Sequence, residues 1–443
     1  MLARECGLSE LTAQLLVNRG VLTVEEALVF LHGGLEALLP PNLLKDMDRA
    51  VARIRKSLDA GEKILVYGDY DVDGMTATAL LIRTLRSLGG RADYHIPDRT
   101  DGYGLHLPAL ERAAADGVSL VITVDCGITA VSEVVRAGVL GLDFVISDHH
   151  EPQGEVPPVP VVNPRRLDCP YPFKELAGVG VAFKLAQALL EAEPPPGFLG
   201  LACLGTVADV MPVRGENRVL IRHGLPLLFE NEGVAALNNR FSGESPGIRD
   251  VAFGIAPLLN AAGRIGRPEL GVELLLAGAE DAPALALELA SLNEARKHLE
   301  EKVSAAVIAE LSSWPELPPV VVVAGEGWNP GVLGIVASRL VSRVGRAVAL
   351  IAVDGEEGRG SARSKPGFDL IEAFGFCREI LTRFGGHRQA AGFTLPADAV
   401  PRLRVGLNRY ARTRPAVDEG PAVEIDAVVQ LRELSLPLLR EIE

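Results

Sequence analysis

The sequence predicts an α/β protein in which a doubly wound, parallel-sheet domain is joined by a long helix to a smaller α/β domain. Helix-like and strand-like segments alternate from Lys45 onward. The strand-like segments are short, rich in Val, Ile and Leu, and not alternating in polarity, as expected for parallel strands covered on both faces. Residues 281–313 then read as one helix, with no Gly or Pro after Pro283. Together these features define the fold class.

The individual elements follow from this alternation. Residues 1–45 are predicted to be short helices that lead into the first domain. Next we expect helices at 46–60, 75–88, 108–116 and 130–137, alternating with strands at 63–67, 91–96, 119–124 and 143–147. A Pro-rich loop (152–164) precedes further helices, including 179–191 and 198–207. In the second domain we expect strands at 320–324 and 347–353 and helices at 332–344 and 369–376.

Composition limits the class of protein. Of the 443 residues, 48% are hydrophobic and 23% are charged, so the chain can build the cores of two or three domains. No apolar run approaches the length of a membrane span. The five cysteines are scattered without a Cys-x-x-Cys pair, which argues against a zinc or disulfide framework and for a reducing cytoplasm.

Charge is distributed unevenly along the chain. The net charge is −14, yet residues 339–414 contain fourteen Lys and Arg against seven Asp and Glu. Because local potential governs binding, this basic second half can hold a nucleic acid. An ordinary mixed surface is the alternative interpretation.

An acidic segment, Gly68-Asp69-Tyr70-Asp71-Val72-Asp73-Gly74, follows the first strand. Three carboxylates this close repel one another unless a cation lies among them. A calcium EF-hand is excluded, because loop position twelve is Leu80 rather than Glu and the preceding segment is a strand. A solvated Asp-rich turn is the remaining alternative for this segment alone.

The other strand ends favour a metal site. Asp125 follows the third strand, Asp148-His149-His150 follows the fourth, and Arg99 and Tyr103 follow the second. Ligands bind beyond the carboxyl ends of such strands, so we expect these groups to converge. Asp209 ends an apolar helix, where an unpaired carboxylate would be costly. Further polar groups that could hold an anion occur in three later segments: Asn260 with Arg264, Ser361 with Arg363, and a predicted turn at Gly386-His387.

Together these motifs resemble those of the DHH phosphoesterase superfamily and, within it, the RecJ family of single-strand exonucleases. The resemblance rests on Gly-Asp-Tyr-Asp-Val-Asp-Gly, Val-Asp-Cys-Gly, Asp-His-His, Thr-Val-Ala-Asp-Val, Asn-Ala-Ala-Gly-Arg and a late Gly-Gly-His-x-x-Ala-Ala-Gly. It implies a helical lead-in (1–45), a DHH domain (46–280), a connecting helix (281–314), a DHHA1 domain (315–415) and the start of an OB-like domain (416–443).

The resemblance also implies roles for individual residues. The implied metal ligands are Asp71, Asp73, Asp125, His149 and Asp209, with Asp69 and His150 in the same site. Asp125 would bridge two ions, and mixed imidazole and carboxylate ligands suit Mn²⁺, with Mg²⁺ as the alternative. Many small-substrate relatives carry His where this chain has Tyr67, so the first ion is expected either to bind more weakly or to depend on Asp69. The implied substrate contacts are Arg99, Tyr103, Asn260, Arg264, Ser361, Arg363, Gly386 and His387, with Tyr103 available to stack on a base.

The implied activity is 5′-to-3′ degradation of single-stranded DNA to mononucleotides in DNA repair and recombination. The protein would be a cytoplasmic monomer, and a single-strand-binding protein and a RecQ-type helicase would be its partners. One alternative is a phosphoesterase of the same superfamily that acts on pyrophosphate, short oligonucleotides or cyclic dinucleotides. The other is a non-catalytic scaffold, although such relatives lose metal ligands that this sequence retains.

Overall fold

The computed structural model describes residues 1–99, 102–192, 194–237, 246–414 and 425–442. These residues divide into two compact units, the first from Met1–Ala290 with Val423–Glu443 and the second from Ser291–Ala422. Within the described ranges, none of the helices combines the length and the apolar character that crossing a membrane requires.

The first unit is built on a parallel sheet of five strands in the order β2-β1-β3-β4-β5. The strands are β1 (Lys63–Tyr67), β2 (Arg91–His95), β3 (Val118–Val124), β4 (Asp143–Ser147) and β5 (Val161–Val162). The predicted doubly wound parallel sheet is thereby confirmed. Only β5 was not predicted, because it is two residues long and lies within the Pro-rich loop.

The α-helices of this unit up to Leu276 are α1 (Leu2–Cys6), α2 (Glu10–Asn18), α3 (Val24–His32), α4 (Met47–Ala60), α5 (Val72–Ser87), α6 (Leu107–Ala115), α7 (Val131–Val139), α8 (Gly178–Leu190), α9 (Pro196–Ala208), α10 (Gly215–Gly224), α11 (Glu232–Ala236), α12 (Ile248–Asp250), α13 (Ala256–Arg264) and α14 (Glu269–Leu276). Helices α4 to α9 agree closely in their bounds with the predicted alternation, whereas the bounds of α10 to α14 were not predicted. One face of the sheet packs on α6 and α7 through residues such as Tyr67, Val121 and Ile146. Helices α5 and α8 contact strands of the same sheet.

Helix α15 (Ala282–Ser312) contains the boundary between the two units. The second unit has a mixed sheet in the order β6-β7-β8-β10-β9. Its strands are β6 (Val320–Glu326), β7 (Ala347–Asp354), β8 (Glu357–Arg363), β9 (Arg383–His387) and β10 (Ala390–Pro396), and its remaining helices are α16 (Pro330–Val344), α17 (Leu370–Phe376) and α18 (Val400–Arg412). Alternate residues of β6 enter two separate cores, Val321 and Val323 on one face and Val320 and Val322 on the other.

The second sheet corrects one sequence-based expectation. The turn predicted at Gly386-His387 is instead the end of strand β9, which pairs antiparallel with β10. Because Gly has low strand propensity, the run Gly385-Gly386 resembles a turn when it is read alone. Pairing with β10, which the sequence did not reveal, imposes the strand.

The C-terminal segment from residue 425 contains a 3₁₀ helix (Leu431–Glu433) and α19 (Leu436–Ile442). Its Asp426 and Glu441 hydrogen-bond residues at the two ends of α2, namely Asn18 and Ser9. The described part of this segment, 425–442, contains no strand, and residues 416–424 and 443 of the predicted OB-like start lie outside the described residues.

Candidate metal centre

The carboxyl ends of β1, β3 and β4 bring the predicted ligands to one edge of the first sheet. The strand order reverses between β1 and β3, and ligands of such sheets bind at this reversal. The acidic segment follows β1, Asp125 follows β3, and the two histidines follow β4.

The acidic segment bends from β1 directly into α5. Asp71 caps the helix, because its carboxylate accepts a hydrogen bond of 3.1 Å from the Gly74 amide. Asp73 therefore lies in the first turn of α5, where it also accepts hydrogen bonds from the Gly178 and Val179 amides at the start of α8. Asp69 is buried, and its Oδ1 has no hydrogen-bond partner among the described residues.

Asp125 has an unusual backbone. Its φ is 61°, in the left-handed region that few residues other than Gly adopt. The Asp125 amide donates to the Ser147 carbonyl, and the Tyr103 hydroxyl donates to the Asp125 carbonyl over 3.0 Å. These two bonds hold the peptide so that the carboxylate lies among the other acidic groups.

Close packing at Asp125 depends on Gly178. A Cβ built on Gly178 would lie 2.6 Å from the Cβ of Asp125, so helix α8 can approach the site only with Gly at this position. Sequence reasoning missed Gly178, because a Gly near a predicted helix start does not by itself indicate a close contact with another element.

His149 lies among three carboxylates. Its Nε2 is 3.1 Å from Asp125 Oδ1, 3.6 Å from Asp209 Oδ2 and 3.8 Å from Asp73 Oδ2. Nevertheless Nε2 makes no hydrogen bond with any described residue. Burial lowers the pKa of His149 to about 3, so the ring is neutral near pH 7 and can offer a nitrogen lone pair to a cation.

His150 is held by Asp148, a residue whose role the sequence did not reveal. The Asp148 carboxylate is fully buried and accepts hydrogen bonds from the amides of Ile128, His149 and His150. The same carboxylate lies 2.8 Å from His150 Nδ1. Burial opposes ionisation of both partners, but this hydrogen bond and the attraction between opposite charges together outweigh it, lowering the pKa of Asp148 and raising the pKa of His150 to about 9.

The remaining carboxylates are costly in the absence of a cation. Burial and neighbouring carboxylates raise the pKa values of Asp69, Asp73 and Asp125. Burial, together with the charge of Asp71, raises the pKa of Asp209 to about 7. A site that forces so many carboxylates together is stable as an anion only with cations present.

The ligand-competent atoms form three overlapping groups, each within 4.8 Å. The groups are Asp69 with Asp71 and Asp125, Asp73 with His149 and Asp209, and Asp125 with His149 and His150. Asp125 and His149 each belong to two groups. These donors and the hydrogen-bond-free atoms Asp69 Oδ1, Asp125 Oδ1 and His149 Nε2 fit bound divalent ions.

Tyr67, at the position where the resemblance implies a histidine in many small-substrate relatives, is completely buried. Its hydroxyl donates to the Gly104 carbonyl over 3.3 Å. The side chain is therefore part of the core behind the site.

Predicted substrate residues of the first unit lie on three elements. Arg99 follows β2, where its guanidinium covers the ring of Tyr70 at 4.7 Å. Asn260 and Arg264 lie one turn apart on α13. Tyr103 is 39% exposed as a whole residue. Its hydroxyl lies 3.0 Å from His150 Nδ1 and also donates to the Asp125 carbonyl. Tyr103 thus supports the metal site in addition to presenting a ring.

The predicted substrate residues of the second unit are brought together by strand pairing. Arg363 of β8 is opposite Ala390 of β10, which is opposite His387 of β9. Residues in one cross-strand row share a face of the sheet, as does Ser361, two residues before Arg363. Arg363 Nη1 also donates to Ser361 Oγ over 3.1 Å. The side chains of Ser361, Arg363 and His387 thus form one polar surface, and the small residue Ala390 lies between Arg363 and His387.

Gly386 is required by this pairing. Its φ is 131°, and an added Cβ would lie 2.5 Å from the Ala390 carbonyl oxygen. Its part in the second unit is therefore to let β9 approach β10.

Comparisons with known proteins agree with this architecture. The family model described as "DHH family, N-terminal domain" matches residues 63–206, and that of the DHHA1 domain matches residues 317–413. The RecJ single-stranded-DNA-specific exonuclease of Bacillus subtilis is 42% identical over 99% of this chain and 57% of its own length. The RecJ of Dickeya dadantii is 37% identical over 90% of this chain and 74% of its own length.

A solved structure shares the fold. The crystal structure of Thermus thermophilus RecJ in complex with Mn²⁺ superposes with a TM-score of 0.80 at 34% identity, covering 91% of this chain and 59% of that one. A structure of the same protein with Mg²⁺ also matches. The chain thus spans less than two thirds of the Bacillus and Thermus relatives. The predicted family is confirmed: the chain belongs to the RecJ family of single-stranded-DNA-specific exonucleases, with DHH and DHHA1 domains.

Proposed function

We propose that this chain is a metal-dependent exonuclease that degrades single-stranded DNA from the 5′ end to mononucleotides. The observation that carries the proposal is the cluster of seven ligand-competent side chains at the carboxyl edge of the first sheet. The RecJ relatives, which are named as single-strand-specific exonucleases, support the choice of substrate.

We assign two divalent ions to this cluster, with Mn²⁺ favoured over Mg²⁺ because imidazole nitrogen is among the donors. Asp71, Asp73, Asp125, His149 and Asp209 would hold them, and Asp69 would contribute to the ion bound with Asp71. Asp125 belongs to two of the groups and would contribute to both ion positions. When bound, such ions supply Lewis acidity to the phosphate and a nucleophilic water at neutral pH.

The chain's own side chains prepare the site for the reaction. Asp148 and Tyr103 both contact Nδ1 of His150, so Nε2 is the ring atom that remains to contact the reacting phosphodiester. The buried amides that bind Asp73 fix its carboxylate before substrate arrives. Such fixed donors and acceptors lower the reorganisation needed during an in-line displacement at phosphorus.

Cationic side chains would bind the strand. Arg99 and Arg264 in the first unit, with Asn260 beside them, offer donors to the DNA backbone, and the exposed Tyr103 ring offers a stacking surface. In the second unit, the surface formed by Ser361, Arg363 and His387, with Gly386 behind it, would bind phosphates. Basic grooves with aromatic side chains suit single strands without sequence preference.

The direction of cleavage and the biological setting rest on the family resemblance alone. We propose 5′-to-3′ polarity, action in DNA repair and recombination, and a monomeric protein in the cytoplasm. A single-strand-binding protein and a RecQ-type helicase are the proposed partners.

A comparison of five substrates tests this function. With Mn²⁺, we expect a 5′-labelled single-stranded 50-mer to release labelled mononucleotide at once, a 3′-labelled strand to shorten stepwise, and a blunt hairpin duplex to be spared. Cleavage of only a dinucleotide or pyrophosphate would instead place the chain among small-substrate phosphoesterases. Metal binding without turnover of any substrate would favour the scaffold alternative.

The variant Asp148→Asn tests how the histidines are positioned. The amide would place an N–H where three backbone N–H groups already point, and it would remove the negative charge beside His150. We expect a loss of roughly 10- to 100-fold in kcat or in Mn²⁺ affinity, which is typical for partners of metal ligands. Activity assays and Mn²⁺ titration measure it, with the exposed Asp116→Asn as control. Unchanged values for both quantities would rule out this role of Asp148.

A further inference from the structure

Tyr70 lies within the acidic segment, between two proposed metal ligands, and the metal site does not account for its side chain. The guanidinium carbon of Arg99 lies 4.7 Å from the centroid of its ring. Arg99 follows β2, which is the neighbour of β1 in the sheet. The ring therefore connects the acidic segment to the loop after the adjacent strand.

The main chain of Tyr70 makes a second close contact. A Cβ built on Gly263 of α13 would lie 2.2 Å from the Tyr70 carbonyl oxygen, so this helix meets the acidic segment at a position that requires Gly. Arg264 is the next residue. The contact at Gly263 thus brings the main chain of Arg264 close to the acidic segment.

An aromatic ring is well suited to hold a cation beside carboxylates. Arg99 adjoins Asp98 in the chain, and an ion pair with a carboxylate would neutralise its charge. A ring instead attracts the guanidinium through its face and carries no charge that could cancel it. Stacking also leaves the in-plane N–H groups directed at the edge, where a phosphate can accept them.

We propose that Tyr70 is a positioning residue that holds Arg99 as a phosphate-binding cation beside the metal centre. This inference rests on the proposed exonuclease function, and it concerns strand binding rather than the chemical step. The ring acts through Arg99 and does not itself touch the reacting atoms.

A double-mutant cycle tests this role in the 443-residue chain. The variants are Tyr70→Leu, Arg99→Ala and their combination, with Tyr70→Phe as the matched control that keeps the ring. Two quantities are measured: the Kd for a fluorescent single-stranded 20-mer in EDTA, and kcat and KM with Mn²⁺ on the 50-mer. Tyr70→Met, whose unbranched and flexible side chain can fill the space of the ring differently, replaces Tyr70→Leu if the latter unfolds.

We expect Tyr70→Leu to raise Kd and KM roughly 3- to 30-fold, the range of a cation–π contact, with kcat changed less than about 3-fold. Tyr70→Phe should differ from wild type by less than about 2-fold, and Tyr70→Leu should add little once Arg99 is Ala. The role would be overturned if the fold-changes in Kd of the two single variants simply multiply in the double variant. It would also be overturned if Tyr70→Phe weakened strand binding as much as Tyr70→Leu. A wild-type chain that neither binds nor cleaves the strand would overturn the exonuclease function itself, and the positioning role with it.

Discussion

Replacing Asp125 by Asn is expected to reduce exonuclease turnover by about 10³-fold or more, equivalent to ~4 kcal/mol of transition-state stabilisation. Asp125 belongs to two of the three ligand groups, so its loss would weaken both proposed ion positions. Asn is the most informative substitution because it tolerates the left-handed backbone at φ 61° and preserves the side-chain shape. Single-turnover cleavage of the 5′-labelled strand measures the effect, with the exposed Asp59→Asn as control.

The same variant should separate function from stability. Burial and neighbouring carboxylates raise the pKa of Asp125, so its ionised form is costly in the metal-free chain. We therefore expect metal-free Asp125→Asn to have a higher Tm than metal-free wild type, while losing the increase in Tm that Mn²⁺ gives wild type. A variant that kept both its activity and its Mn²⁺ response would show that Asp125 is not a ligand.

The second large effect concerns a buried ion pair that is not part of the metal centre. Lys184 of α8 is completely buried and lies 2.5 Å from Glu216 of α10. Glu216 also accepts hydrogen bonds from the Tyr171 hydroxyl and the Leu39 amide. Replacing Glu216 by Ala leaves a buried ammonium with one carbonyl acceptor, that of Leu39, and should destabilise the first unit by about 3–5 kcal/mol.

The two units can be followed separately in this experiment. Both tryptophans, Trp314 and Trp328, lie in the second unit, so their fluorescence reports its unfolding, whereas circular dichroism follows both units. We expect Glu216→Ala to shift a transition seen by circular dichroism to lower urea while the fluorescence transition stays in place. The variant Lys184→Met/Glu216→Leu/Tyr171→Phe should regain most of the loss. An unchanged dichroism transition in Glu216→Ala would contradict this role of the pair.

Much of the fold could be predicted from the sequence, because the spacing of apolar residues and the polar residues at strand ends are strong local signals. The strands of the first sheet, other than β5, and the long helix α15 follow from apolar runs and from the absence of breakers. The positions of Asp69, Asp125 and His149 at one edge follow from the rule that parallel strands present their carboxyl ends together. These inferences need no knowledge of which side chains touch.

The remainder depends on contacts between distant residues. Strand β9 owes its conformation to pairing with β10, and the buried pair of Lys184 and Glu216 joins helices whose polar residues look unexceptional in sequence. Gly178 is needed only because α8 approaches Asp125. Asp148 is next to the histidines in the sequence, but its hydrogen bonds to three amides could not be predicted because they depend on the path of the chain after β3.

The most direct test of the metal centre is the anomalous diffraction of crystals soaked in Mn²⁺, collected at the manganese absorption edge. We predict two peaks within the cluster of seven ligand-competent side chains, both beside Asp125. In Asp125→Asn, at least one of the two peaks should be lost. Peaks located elsewhere in a chain that retains Mn²⁺-dependent nuclease activity would contradict the proposed centre.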